Sequence, residues 1–161
     1  MNRLPMTLQE ATEINKWQYE APYDFYNGED SKEDLEEYLN GTFYALMEQN
    51  TLIGYYCTGN SAIVSKGNSV GAYTTKAIDF GLGMVPTLTG QGRGKEFLTH
   101  ILKWIEEDYP NIPVRLTVAT FNIRAIRLYE SLGFKKELVF QAPSAQFQTM
   151  ILQKNSHPSV S

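Results

Sequence analysis

Cysteine is nearly absent from this chain. Cys57 stands alone, which excludes a disulfide framework and a zinc site built on thiolates. Histidine is almost as scarce: His100 and His157 lie far apart, and neither belongs to an H-E-x-x-H pattern. No metal is therefore expected. Long apolar runs are missing too, and nothing approaches the roughly 18–20 residues of a membrane span. The opening Met1-Asn2-Arg3-Leu4-Pro5-Met6 lacks the apolar stretch of a signal peptide. These features lead us to expect a soluble cytoplasmic protein with no membrane partner. Basic surplus is the last absence. Fourteen Lys and Arg face eighteen Asp and Glu, for a net charge of −4 and a pI near 5.2. No Lys/Arg-rich face compensates, so nucleic acid is not an expected partner.

What is present describes a folded enzyme-sized domain. The chain has 161 residues, 42% of them hydrophobic, with ten Tyr, eight Phe and two Trp. That length buries roughly two-thirds of the unfolded surface and needs no covalent staples. One domain is expected over residues 1–154, followed by a polar tail over 155–161. Thr7-Leu8-Gln9-Glu10 has the form of a capping box, with Leu8, Ala11 and Ile14 at helical spacing behind it. A second short helix is expected from Ser31, carrying Leu35, Tyr38 and Leu39. Phe43–Glu48 and Leu52–Thr58, separated by Gln49-Asn50-Thr51, read as a β-hairpin. Residues 59–76 form a long Gly/Asn/Ser-containing connection. A strand then covers Ala77–Val85. The strongest helical stripe in the chain follows, made of Phe97, Leu98, Ile101, Leu102 and Ile105. A strand over Pro113–Thr120 leads to a helix capped by Asn122 and stopped by Gly133. Two last strands are expected at about Lys135–Gln141 and Ala145–Gln153. The order predicts one α/β domain with a mixed sheet.

The chemistry centres on the junction between the strand ending near Val85 and the stripe helix. There Gly90-Gln91-Gly92-Arg93-Gly94-Lys95-Glu96 makes a glycine turn that opens a helix. Such a turn lets backbone N–H groups approach a phosphate or pyrophosphate, with a favourable helix dipole behind them. The Walker A pattern fails, because Thr89 stands where its first glycine belongs and Glu96 where its Ser/Thr belongs. The dinucleotide pattern G-x-G-x-x-G fails at Lys95 or at Phe97. ATP and NAD both lose ground.

Gln91-Gly92-Arg93-Gly94-Lys95 resembles the first five positions of the [QR]-x-x-G-x-[GA] turn of the GNAT superfamily of N-acetyltransferases. Glu96 departs from it, and its carboxylate is expected to point away from a pyrophosphate. Downstream, the block Asn122 to Phe134 is similar to that family's N-x-x-A-x-x-x-Y-x-x-x-G-F, through Asn122, Ala125, Tyr129, Gly133 and Phe134. The resemblance implies a GNAT-like α/β fold, with a mixed, mostly antiparallel central sheet flanked by helices and splayed between the fourth and fifth strands. It also implies an acetyl-CoA-dependent N-acetyltransferase that passes acetyl directly to a primary amine in a ternary complex. Acetyl-CoA is the implied co-substrate. The alternative is a non-catalytic acyl-CoA-binding or regulatory module.

Carried residue by residue, the resemblance assigns Met84 and Val85 to the pantetheine arm. Gln91, Gly92, Arg93, Gly94, Lys95 and Glu96 then surround the pyrophosphate, and Asn122 contacts the coenzyme. Tyr129 becomes the general acid that protonates the departing thiolate, since a phenol near its ordinary pKa of about 10 keeps its proton at neutral pH. Asp79 is the candidate general base. A lysine-like amine with pKa about 10.4 is neutral only about once in 2,500 at pH 7, a gap of about 4.6 kcal/mol, whereas an α-amino group costs about 1–1.4 kcal/mol. The acceptor pocket is expected among Trp17, Tyr19, Tyr23, Phe25 and Tyr26. Glu20, Asp24, Glu29 and Asp30 lie close by in sequence, and the aromatics would suit a cationic amine. The acceptor is a small-molecule or peptide amine, and a homodimer is a further expectation from the family. Cys57 reads as a buried small residue on a strand.

Overall fold

The computed structural model describes residues 1–154; the polar tail over 155–161, with His157, lies outside the described residues. Seven strands form one sheet. In chain order they are β1 (Asn2–Pro5), β2 (Phe43–Glu48), β3 (Thr51–Thr58), β4 (Ile78–Met84), β5 (Val114–Ala119), β6 (Lys135–Gln141) and β7 (Gln146–Leu152). The spatial order is β1-β2-β3-β4-β5-β7-β6. Every neighbouring pair is antiparallel except β4 with β5, which run parallel. The helices are α1 (Leu8–Ile14), α2 (Lys32–Tyr38), α3 (Gly94–Asp108) and α4 (Ile123–Ser131).

The hairpin forms where the sequence places it, with a tighter turn. Gln49 and Asn50 both take positive φ, 51° and 64°, which is the twist-matched two-residue loop of a hairpin, and β3 therefore starts at Thr51. β1 has no counterpart in the sequence expectations. Its four residues show no alternation and end in proline, yet they pair with β2 from Asn2↔Met47 to Pro5↔Tyr44. Arg3 fixes this edge. Its guanidinium donates to both carboxylate oxygens of Asp108 at 2.7 and 3.0 Å and to the Tyr56 hydroxyl, and it lies 4.4 Å from the centre of the Tyr44 ring. The capping box is also only half realised. The Thr7 hydroxyl bonds the Glu10 carboxylate and caps no backbone N–H of α1.

One face of the sheet carries the main core. The α3 stripe Phe97, Leu98, Ile101 and Ile105 is fully buried there against Phe80, Val114, Leu116 and Met150. Each such side chain contributes about 1.5–3 kcal/mol on leaving water. The opposite face is covered in two parts. Ile14 and Trp17 pack on Ala45 and Leu52 at one end. At the other, Ala72, with Val64 and Tyr73, packs on Ala119, Phe140 and Phe147. The long 59–76 connection is therefore an ordered cover, folded into two short 3-10 turns, Gly59–Ala62 and Ser65–Val70. Between these two covers the middle of the sheet is left open.

Candidate active site

The parallel strands β4 and β5 share only two rungs, Ile78↔Val114 and Asp79↔Arg115. Beyond them the strands separate. Arg115 closes the vertex: its Nε and Nη2 donate to the two Asp79 carboxylate oxygens at 2.7 and 2.9 Å, and its Nη1 donates to the Thr75 carbonyl at 2.9 Å. Arg115 is 2% exposed, and the paired carboxylate raises its pKa further. Asp79, the candidate base, is thus held by a guanidinium at the closed end and does not line the cavity.

The gap is a cavity of about 490 Å³ whose walls include Phe80, Gly81, Leu82, Gly83 and Met84 of β4 and Leu116, Thr117 and Val118 of β5. Val85 donates its amide to the Ile53 carbonyl at 2.8 Å, so that group belongs to the β3 side. Alternation along the strand turns the peptide groups of Leu82 and Met84 the other way, into the gap. There the Met84 carbonyl accepts from the Tyr19 hydroxyl at 2.7 Å. Of the expected pair Met84 and Val85, the Val85 amide is thus engaged by β3, while the peptide groups of Met84 and of Leu82 face the gap.

At one mouth stands the glycine turn. Gly90 and Gly92 take φ of 72° and 78°, values that strain any L side chain. A Cβ on Gly92 would meet nothing within 4 Å, which leaves open space in front of the turn, whereas a Cβ on Gly94 would come within 2.8 Å of Leu128. The first glycine shapes the turn and the second lets α3 approach α4. No side chain caps α3, whereas Ser31 caps α2 and Asn122 caps α4. The first N–H groups of this 15-residue helix thus have no side-chain cap.

The charges of the turn divide. Arg93 donates to Glu48 and to Glu96, both at 2.9 Å, and this pairing lowers the Glu48 pKa. Glu96 therefore turns out toward Arg93 and away from the cavity, as does Gln91, whose side chain bonds the Thr87 carbonyl at 2.6 Å. Gly92, Gly94 and Lys95 line the cavity, and Arg124 of α4 joins them. Arg124 is steadied by the Tyr23 ring, 4.1 Å from its guanidinium carbon.

Deeper in, the Tyr129 side chain forms part of the wall. Burial pushes its pKa well above the usual phenol value, so the proton stays on. Asn122 lines the same cavity. Its Oδ1 accepts from the Ala125 amide at 3.2 Å, which caps α4, and its Nδ2 donates to the Tyr26 hydroxyl at 3.1 Å. The helix cap thereby ties α4 to the segment between α1 and α2.

Of the five aromatics expected around the acceptor, Tyr19, Tyr23 and Tyr26 line the cavity. Trp17 is instead a core residue beside Ala45 and Leu52. Phe25 packs edge-on against Tyr26 and Phe121, at 5.1 and 5.3 Å between ring centres. Tyr55 and Thr117 also line the cavity and were not singled out in the sequence. Tyr55 lies so close over β4 that a Cβ on Gly83 would sit 2.4 Å from its ring. Gly81 and Gly83, which alternate along β4, carry half of that signal; the tyrosine partner depends on register.

No curated protein is significantly similar in sequence. The acetyltransferase (GNAT) family model matches residues 8–134. Among solved structures, the spermidine/spermine N-acetyltransferase SpeG from Vibrio cholerae has a TM-score of 0.63 at 20% identity, covering 94% of this chain and 93% of that one. The aminoglycoside acetyltransferase AAC(6')-Ib, solved with coenzyme A, has a TM-score of 0.68 at 16% identity over 94% of each chain. The protein smu.2055 from Streptococcus mutans has a TM-score of 0.60 at 17% identity, over 95% and 99%. At such identities these are likenesses of fold. The family match spans most of the chain and includes both the glycine turn and the Asn122–Phe134 block, and the chain belongs to the GNAT acetyltransferase family.

Proposed function

We propose that this protein transfers the acetyl group of acetyl-CoA directly to the primary amine of a small molecule. The observation that carries the reading is the β4–β5 gap, with an uncapped helix N-terminus at its mouth and a buried tyrosine in its wall. Gly92, Gly94 and Lys95, with Arg124, would hold the pyrophosphate, while Leu82 and Met84 offer backbone groups to the pantetheine arm. The open space before Gly92 fits a bound phosphate. The coenzyme supplies an activated thioester, and the protein aligns an amine against it.

In the transfer the amine nitrogen attacks the thioester carbonyl carbon. The C–N bond forms, the C–S bond breaks, and Tyr129 gives its hydroxyl proton to the departing sulfur. The amine loses its extra proton to solvent, from which Tyr129 is restored. Asp79 serves here as the vertex clamp with Arg115, because a carboxylate held by two guanidinium bonds outside the cavity does not reach an amine inside it. The acceptor nitrogen is therefore taken up neutral, or loses its proton through water before attack.

Thiol release from acetyl-CoA in the presence of amines tests this reading. Wild-type protein should release CoA only when a suitable amine is added. Tyr129→Phe should lower kcat by about 10²-fold or more with little change in coenzyme affinity. Coenzyme binding without thiol release for any amine would point to the non-catalytic acyl-CoA-binding alternative, and an unchanged kcat would remove Tyr129 from its role.

A further inference from the structure

The sheet face opposite α3 presents the acceptor's side of the gap, walled by Tyr19, Tyr26 and Tyr55 with Thr117 and Gly81, while the Tyr23 ring is taken up by Arg124 toward the coenzyme end. Among the described lining residues there is no Asp or Glu. The two charged ones, Lys95 and Arg124, are both cations at the coenzyme end. The polar atoms of the wall are largely committed. The Tyr19 hydroxyl bonds the Met84 carbonyl, the Tyr26 hydroxyl accepts from Asn122, and the Thr117 hydroxyl pairs with Tyr73 at 2.8 Å. Burial raises the pKa of Tyr19, Tyr26 and Tyr55, so none supplies a phenolate as counter-charge.

The carboxylates nearest in sequence stay outside. Asp79 is spent on Arg115, and Glu20, Asp24, Glu29 and Asp30 are exposed on the segment that leads into and away from Tyr23 and Tyr26. An exposed acidic rim raises the local concentration of cations and speeds their arrival. It does not stabilise a second ammonium once that group leaves water, and a buried charge without a partner is strongly disfavoured. Tyrosine faces, by contrast, accept one ammonium and stack on an apolar body. A neutral aromatic wall also disfavours the charged form of a bound amine by desolvation, which favours the free base that must attack.

From this arrangement we infer that the acceptor is a small amine with a single basic nitrogen on an apolar or aromatic body, and that polycations are poor substrates. The inference rests on the acetyltransferase reading above and assigns that reaction its substrate class. It sets this chain apart from the polyamine and aminoglycoside enzymes that share its fold.

The test is a thiol-release comparison of phenethylamine, spermidine and a short peptide with a free N-terminal amine, run beside thermal unfolding with acetyl-CoA. The expected result is a kcat/KM for phenethylamine at least tenfold above that for spermidine and above that for the peptide. Spermidine or the peptide performing as well or better would overturn the substrate class and leave the acetyltransferase reading intact. Stabilisation by acetyl-CoA with none of the three amines acetylated would also overturn the substrate class. No stabilisation by acetyl-CoA would overturn both. Thr117→Asp, which puts a carboxylate on the wall, should raise the spermidine-to-phenethylamine ratio at least fivefold if missing counter-charge is the cause. A folded Thr117→Asp protein with an unchanged ratio would contradict it.

Discussion

Arg115 and Asp79 show how a residue acquires its role from its neighbour. A guanidinium 2% exposed on β5 is tolerable only with its partners in place, and removing one member of a buried pair costs about 3–5 kcal/mol. Asp79→Ala should therefore lower unfolding stability by about 3 kcal/mol, read from urea denaturation at constant slope. Because Asp79 faces the clamp, Asp79→Asn should leave the acid side of the kcat pH profile unmoved; its loss would restore Asp79 as the base. The Tyr129 phenol pKa is raised by burial, so the protonated, donating form persists beyond the ordinary value of about 10. No alkaline fall in kcat from this group is expected up to pH 9. The rate should instead climb as the acceptor amine loses its own proton. Cys57 is raised by burial as well, to about 12. Its thiol should resist disulfide reagents at neutral pH until the protein unfolds, and fast labelling of native protein would contradict that placement.

At the scale of elements, the glycine turn and α3 divide the work. Gly92, at φ 78° with open space before it, meets both conditions for close approach of a ligand. Gly92→Ala adds about 1–2 kcal/mol of backbone strain and a methyl in that space. It should weaken acetyl-CoA binding at least tenfold, measured by calorimetry. Glu96→Gln should change the same affinity less than twofold, since the carboxylate is turned toward Arg93 and exposed pairs are weak. These helices and the hairpin were legible in the sequence because 3.6- and 2-residue periodicities and caps are local. The glycine turn and Tyr129 were legible through spacing and resemblance. The partners across the sheet were not. Tyr55 over Gly83, and Arg115 beside Asp79, follow from registers between strands that lie far apart in the chain, which no local pattern encodes. Asp79 therefore read as a candidate general base, and Trp17 and Phe25 read as pocket residues from proximity to Tyr19 and Tyr26. β1 escaped notice because an edge strand of four residues needs only one partner and shows no alternation.

The whole molecule is a sheet pinned at one point and opened at another. The Asp79–Arg115 vertex holds β4 and β5 together over two rungs; the main core fastens α3 and α4 on one side, and the 59–76 cover and the α1 region fasten the other. What is left between is the cavity. Thermal unfolding in the presence of acetyl-CoA, with ATP and NAD as controls, measures directly whether that cavity is the coenzyme site. A ligand at a hundred times its Kd adds about 2.7 kcal/mol, and for a domain of this size the midpoint should rise by about 5–10 °C with acetyl-CoA alone. A folded sample whose midpoint does not move with acetyl-CoA, or moves equally with ATP or NAD, would contradict the account.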